Sequence, residues 1–209
     1  MYKNMKKINL IDDDIYSLFW KIALPSSIGT IFQNLYSLVD AIFAGRMISE
    51  IALAAIGQTF PIYFVIIALG IGLSIATTSI VANCIGERRI SKASNIFCQS
   101  LVLGVFVGII ISICGIYFGS SILESINDDQ KTLKLSRNYM NVIYLGSVII
   151  LLLMISNSCL SALGDTKSYR NVLIFSFFLN ILLNPILISG TFLGYNLFIP
   201  LGITGIAML

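Results

Sequence analysis

Apolar runs at residues 22–44, 51–82, 94–120, 138–162 and 169–189 follow one another with only short polar connections between them. A membrane-spanning helix needs about 20 predominantly apolar residues. In hydrocarbon only helices and closed barrels satisfy their own backbone, and runs of this length read as helices. The second run exceeds one straight crossing, so it is expected to tilt or to extend past the bilayer. A sixth apolar segment opens near Leu201 and reaches Leu209, too short to cross. The expectation is an all-α integral membrane protein with five complete transmembrane helices and the start of a sixth.

Charge supports this reading. Charged residues make up 11% of the chain and hydrophobic ones 57%, whereas soluble domains carry roughly 25% charged residues. The net charge of +3 comes from Lys and Arg clusters between the runs, so it reads as topology and not as nucleic-acid binding. Nine of the thirteen basic residues fall on one side: Lys3, Lys6, Lys7, Lys21, Arg88, Arg89, Lys92, Lys167 and Arg170. Arg46, Lys131, Lys134 and Arg137 fall on the other. The positive-inside rule then places the N-terminus in the cytoplasm. Residues 1–21, with Asp12, Asp13 and Asp14 ahead of Tyr16, Phe19 and Trp20, read as a cytoplasmic or interfacial lead-in and not as a signal peptide.

The punctuation is consistent with short turns. Gly45-Arg46 is expected to end the first helix and Gly86 the second. Asp165, after Gly164, is a plausible N-cap for the fifth. No internal repeat is visible. Cys84, Cys98, Cys114 and Cys159 lack CxxC spacing and there is no histidine, so they read as small apolar residues and not as metal ligands. Asn184-Pro185-Ile186 is not a water-channel NPA, Leu163-Gly164-Asp165 lacks the GxGD of intramembrane aspartyl proteases, and no GxSxG, P-loop or HExxH occurs. Nothing supports an enzyme or a cofactor.

Asp40 is the one acidic residue placed clearly within a span. A carboxylate at a helix centre costs about 2.5–3.5 kcal/mol on insertion scales, so such residues usually face a bundle interior and mark ion paths. Gln33, Tyr36, Ser37 and Asp40 fall at helical spacing and form one polar stripe. The alternative is a hydrated Asp40 near the outer end that merely caps neighbours. In the fifth run Ser176, Asn180 and Asn184 share a face, and Pro185 removes a backbone donor beside Asn184. Carboxylate, amide and freed carbonyl oxygens suit a hard cation, although intramembrane Asn pairs also simply join helices.

The segments Leu24-Pro25, Gln33-Asn34-Leu35, Asp40, Gly45-Arg46 and Leu53-Ala54-Ala55-Ile56-Gly57 resemble the opening of the multidrug and toxic compound extrusion (MATE) family. Leu163-Gly164-Asp165-Thr166-Lys167, Asn180 to Pro185 and Pro200 to Gly205 resemble later family segments in the same order. The resemblance implies one lobe of a two-lobe, twelve-helix transporter. Residues 1–209 would be its N-terminal six-helix lobe, cut within helix six, and its partner would be a C-terminal lobe. It implies a multi-pass plasma-membrane antiporter that exports organic cations and drugs in exchange for H⁺ or Na⁺. By the same resemblance Asp40 is the functional carboxylate, and Asn180, Asn184 and Thr204 match cation-coupling positions, with Na⁺ a candidate at Asp40, Asn180 and Asn184. Pro25 matches a helix-bending proline. Members with the clearest cation site carry Asp where this chain has Asn184. One carboxylate with amide oxygens attracts a dehydrated sodium ion less than two carboxylates would, which favours a proton. The alternatives are a lipid-linked glycan flippase of related fold, against which stands the absence of Lys or Arg well inside a span, and a channel or non-transporting membrane subunit.

Overall fold

The computed structural model describes residues 14–192, 195–196 and 200–208. Lys3, Lys6, Lys7, Asp12 and Asp13 of the expected lead-in lie outside the described residues. Helix α1 (Ile15–Phe43) continues into a π turn (Ala44–Ile48), and α2 (Glu50–Gly86), α3 (Ile90–Ile126), α4 (Gln130–Ala162) and α5 (Thr166–Ser189) follow. A two-residue antiparallel pair, β1 (Thr191–Phe192) with β2 (Tyr195–Asn196), precedes α6 (Ile203–Ala207).

All five long helices stand where apolar runs predicted them, and each extends beyond its run at one end or both. α1 already runs from Ile15, so residues 15–21 of the expected lead-in are helical and continuous with the first run. At 37 residues, α2 and α3 each measure about 55 Å, well beyond a hydrocarbon core of about 30 Å. Helices α2 to α5 are long and apolar enough to cross a membrane. α1, with 29 residues, has the length, and its polar stripe dilutes its apolar character.

Local chemistry sets the helix ends. Ser49 caps α2 by accepting from the Ala52 N–H at 3.1 Å, and Asp129 caps α4 by accepting from the Thr132 N–H at 3.0 Å. Asp165 caps α5 as expected, accepting from the Ser168 N–H at 3.1 Å and the Ser168 hydroxyl at 2.6 Å. One expected stop differs. Gly45 and Arg46 lie inside the π turn, where the chain continues to coil, and Ser49 N–H donates back to the Ala44 carbonyl at 3.1 Å. α2 ends at Gly86 as expected, and Arg88, two residues on, takes the left-handed conformation, with φ 58°.

The helices form two groups. α4 is central, packed on both α2 and α3, with Met140, Leu151 and Ile155 fully buried. The α3 face toward α4 carries two GxxxG pairs, Gly104 with Gly108 and Gly115 with Gly119, with Ser112 between them. A Cβ at Gly108 would come 2.7 Å from the Val148 Cα, and Cβ atoms at Gly115 and Gly119 would strike the Tyr144 ring. Such small residues let helix backbones approach, which is where dispersion packing is gained when lipid removes the hydrophobic driving force. Ser147 donates to the Gly108 carbonyl at 2.9 Å, and Ser74 of α2 donates to the Met154 carbonyl of α4 at 3.1 Å.

The second group is α1 with α5. Gly29 lets α1 approach Arg170 and Leu173, and Phe32 meets Phe177 edge to face at 5.4 Å. The π turn and α6 join the groups through a buried cluster of Ala44, Ile188 and Ile206. The segment before α6 is clipped to the end of α5: Leu201 and Gly202 N–H groups donate to the carbonyls of Leu187 and Ile188 at 3.2 and 3.3 Å. Gly202 has φ 56°, ψ −129°, a conformation open to glycine and closed to ordinary side chains.

Candidate functional site

The pairing of α1 with α5 brings Asp40 to Asn180 and Asn184. Asn180 and Asn184 lie four apart on α5, so both amides project from one face. Each donates through Nδ2 to the same carboxylate oxygen, Asp40 Oδ1, at 2.8 and 2.9 Å. The asparagines are 1% and 0% exposed, while Asp40 is half-buried. Both amide carbonyl oxygens, Asn180 Oδ1 and Asn184 Oδ1, are buried without a hydrogen-bond partner. Such orphans are uncommon in folded proteins and mark places where a ligand or ordered solvent is expected.

Three tyrosines surround this cluster within electrostatic reach of Asp40: Tyr36 from α1, Tyr63 from α2 and Tyr139 from α4. Tyr36 also stands beside Asn180. All four long helices around the cluster therefore contribute a polar group, and among the described residues no lysine or arginine acts on Asp40. Tyr63 and Tyr139 escaped sequence reasoning. Isolated tyrosines in apolar runs carry no periodic mark, and only the packing of α2 and α4 brings them within reach of Asp40.

Other expected site residues are placed differently. Gln33 and Ser37 are exposed, and the Ser37 hydroxyl donates to the Gln33 carbonyl at 3.5 Å; they continue the stripe along α1 without joining the Asp40 cluster. The Thr204 hydroxyl donates to the Leu201 carbonyl at 2.7 Å, a bond within its own turn. Among the described residues no hydrogen bond ties it to Asp40. Ser176 is half-buried on α5. Pro25 is buried inside an unbroken α1, about 22 Å along the axis from Asp40, where it removes one backbone bond to the preceding turn.

Chemically the cluster is one carboxylate, two amides with unused oxygens and a phenolic rim. It can hold a proton or a small hard cation on oxygen, and its aromatic faces can attract an organic cation. Among the described residues no three His, Cys, Asp or Glu side chains converge in a metal-binding group.

Known proteins share the sequence and the fold of this chain. The FAD transporter of Shewanella oneidensis is 28% identical over 181 residues, covering 87% of this chain and 40% of that protein. The multidrug export protein MepA of Staphylococcus aureus is 25% identical over 176 residues, covering 84% and 39%. The chain thus spans about two fifths of the length of these curated relatives. A solved structure described as the outward-facing conformation of a multidrug resistance MATE family transporter superposes with a TM-score of 0.85 at 31% identity, covering 98% of this chain and 44% of that one. The family model MatE matches residues 25–186, and the chain, folded as one lobe of a MATE transporter, belongs to that family.

Proposed function

We propose that this lobe is half of a secondary antiporter of the plasma membrane, exporting organic cations and other xenobiotics in exchange for an inward-moving cation, with its N-terminus in the cytoplasm. The observation that carries the reading is the shared acceptor Asp40 Oδ1, held by two amides whose own oxygens are unused. A half-buried carboxylate within a span is costly and rare unless it serves an ion or proton path.

Asp40 is the coupling carboxylate. Taking up a cation removes its net charge and with it the charge-assisted bonds from α5, which are stronger than neutral ones. That difference between the two states is what any conformational switch needs. α1 is then freer to rearrange about Pro25, and the outgoing organic cation loses its counter-charge. Sodium as the coupling substrate would sit on Asp40 with the Asn180 and Asn184 oxygens turned toward it. With one carboxylate in the set, a proton is the favoured coupling ion. A lone anion among phenols also suits a cationic cargo better than an anionic one, which counts against a glycan-phosphate flippase and against a dinucleotide such as the cargo named for the Shewanella relative.

The test is dye efflux by the full-length protein in vesicles, with sodium and pH gradients imposed separately. Efflux driven by either gradient supports exchange. Equal efflux without any gradient would sink it in favour of a passive channel.

A further inference from the structure

The outer face of α3, turned away from α4, carries a polar-to-apolar progression that the transport reading does not use. At about 100° per residue, Lys92, Gln99, Val102, Leu103 and Phe106 share one face, roughly opposite Gly104 and Gly108. Cys98, Gln99, Val102, Leu103 and Phe106 line a shallow, open and largely apolar surface groove, and Val102 and Phe106 are 70% and 62% exposed. Lys92 and Gln99 are exposed as well.

Centring a hydrocarbon core of about 20 residues on the middle of α3 gives roughly 98–118. Gln99 then lies at the level of the ester carbonyls, Phe106 among the acyl chains, and Lys92, about 10 Å further out, at the level of the phosphates. Helical side chains lean toward the helix N-terminus, so Lys92 and Gln99 both reach toward the headgroups. Just before the helix, Arg88 is held in the left-handed conformation, with φ 58°. Arg89 is paired with Glu87 at 3.1 Å, whereas among the described residues neither Arg88 nor Lys92 has an ion-pair partner and the Gln99 amide has no hydrogen-bond partner. At that level a lipid ester offers the Gln99 amide an acceptor at the edge of the hydrocarbon.

We propose that this face binds an anionic phospholipid, its phosphate held by Arg88 and Lys92, its ester region by the Gln99 amide, and an acyl chain by the Val102–Phe106 groove. Zwitterionic lipid offers the same chain and esters but brings its own cation to the phosphate, so the two free basic residues select for net negative charge.

Quenching of an indole introduced by Phe106→Trp, in full-length protein with its other tryptophans replaced, reports the lipid in the groove. The protein is reconstituted in phosphatidylcholine containing a fixed fraction of brominated phosphatidylglycerol or brominated phosphatidylcholine. The expected result is preferential quenching by the phosphatidylglycerol. Arg88→Ala and Lys92→Ala should each lower that preference about fivefold, the effect of about 1 kcal/mol per basic residue. Gln99→Leu should weaken retention of both lipids, and Lys131→Ala on the opposite side should change nothing. Equal quenching by the two lipids, or a preference that survives Arg88→Ala with Lys92→Ala, would overturn the proposal. Loss of the preference in millimolar inorganic phosphate at constant ionic strength would overturn it in favour of a free-phosphate site.

Discussion

The Asn184 amide donates to Asp40 Oδ1 at 2.9 Å across 144 positions of sequence. Asn180 does the same from one helical turn earlier at 2.8 Å, so α1 is tied to α5 by two charge-assisted bonds that converge on one atom.

Removing the charge and keeping the shape tests the role of Asp40. Asp40→Asn is expected to abolish gradient-driven dye efflux while leaving expression and membrane insertion near the parent level. Asp40→Glu is less decisive, because an added methylene shifts the charge within a packed site. Undiminished efflux in the Asn variant would remove Asp40 from the mechanism.

Adding a second charge tests ion choice. Asn184→Asp places a carboxylate one turn from Asn180 and is expected to move coupling toward sodium, since a second anion strengthens cation binding. The measurement is efflux driven by a sodium gradient at equal pH on both sides, with a protonophore present. Strong transport by the parent protein under these conditions would show that the Asn-containing site already serves sodium.

Two glycines are expected to respond with opposite sign. A Cβ at Gly108 would stand 2.7 Å from the Val148 Cα, and one at Gly57 would have nothing within 4 Å. Gly108→Leu should destabilise the α3–α4 interface by about 1–3 kcal/mol or more, as overpacking does. Gly57→Ala should stabilise α2 by up to about 1 kcal/mol through helix propensity. Melting temperatures of the purified proteins in one detergent rank the three.

The α5 cap predicts a pH effect. The hydrogen bond from the Ser168 hydroxyl holds the Asp165 carboxyl below the usual carboxylate range, outweighing the opposing effect of burial, and the Ser168 N–H adds to it. A depressed folded value means that the stabilisation is present above the unfolded value, near 3.9, and fades as pH falls through the folded one. Asp165→Ala should cost about 1 kcal/mol at neutral pH, and Asp165→Asn less. The difference between Asp165 and Asp165→Ala, read by thermal unfolding, should narrow only below about pH 4.

Orientation is testable from both sides of the membrane. Cysteines placed at Arg88 and Lys167, in a background without the four native ones, should react with an impermeant reagent from the cytoplasm, and one placed at Asp128 from outside. Labelling of position 128 from the cytoplasm alone would invert the topology.

The spans and their order were legible because membrane-length apolar runs leave the backbone few alternatives. The polar partners within them were legible in part. Asp40, Asn180 and Asn184 stand out as costly residues, and their spacing put them on defined faces. Tyr63 and Tyr139 were hidden, since which tyrosine turns inward depends on how α2 and α4 pack. Both GxxxG pairs of α3 are plain in the sequence, yet their partner is not, because Tyr144 and Val148 carry no complementary signature. One turn misled, where two solutions compete: a π turn absorbed Gly45.

The two-group architecture also imposes an order on biogenesis. Helices α2, α3 and α4 are consecutive and can close their interfaces as each is inserted. α1 precedes them all, but the amides that receive its carboxylate are translated only with α5. Until then Asp40 waits in the bilayer without them, at an insertion cost of about 2.5–3.5 kcal/mol, and the most polar span is the least secured. Nascent chains arrested before Asn180 are therefore expected to be cleared by membrane proteases faster than chains arrested beyond Asn184, a difference that pulse–chase labelling would register as two half-lives.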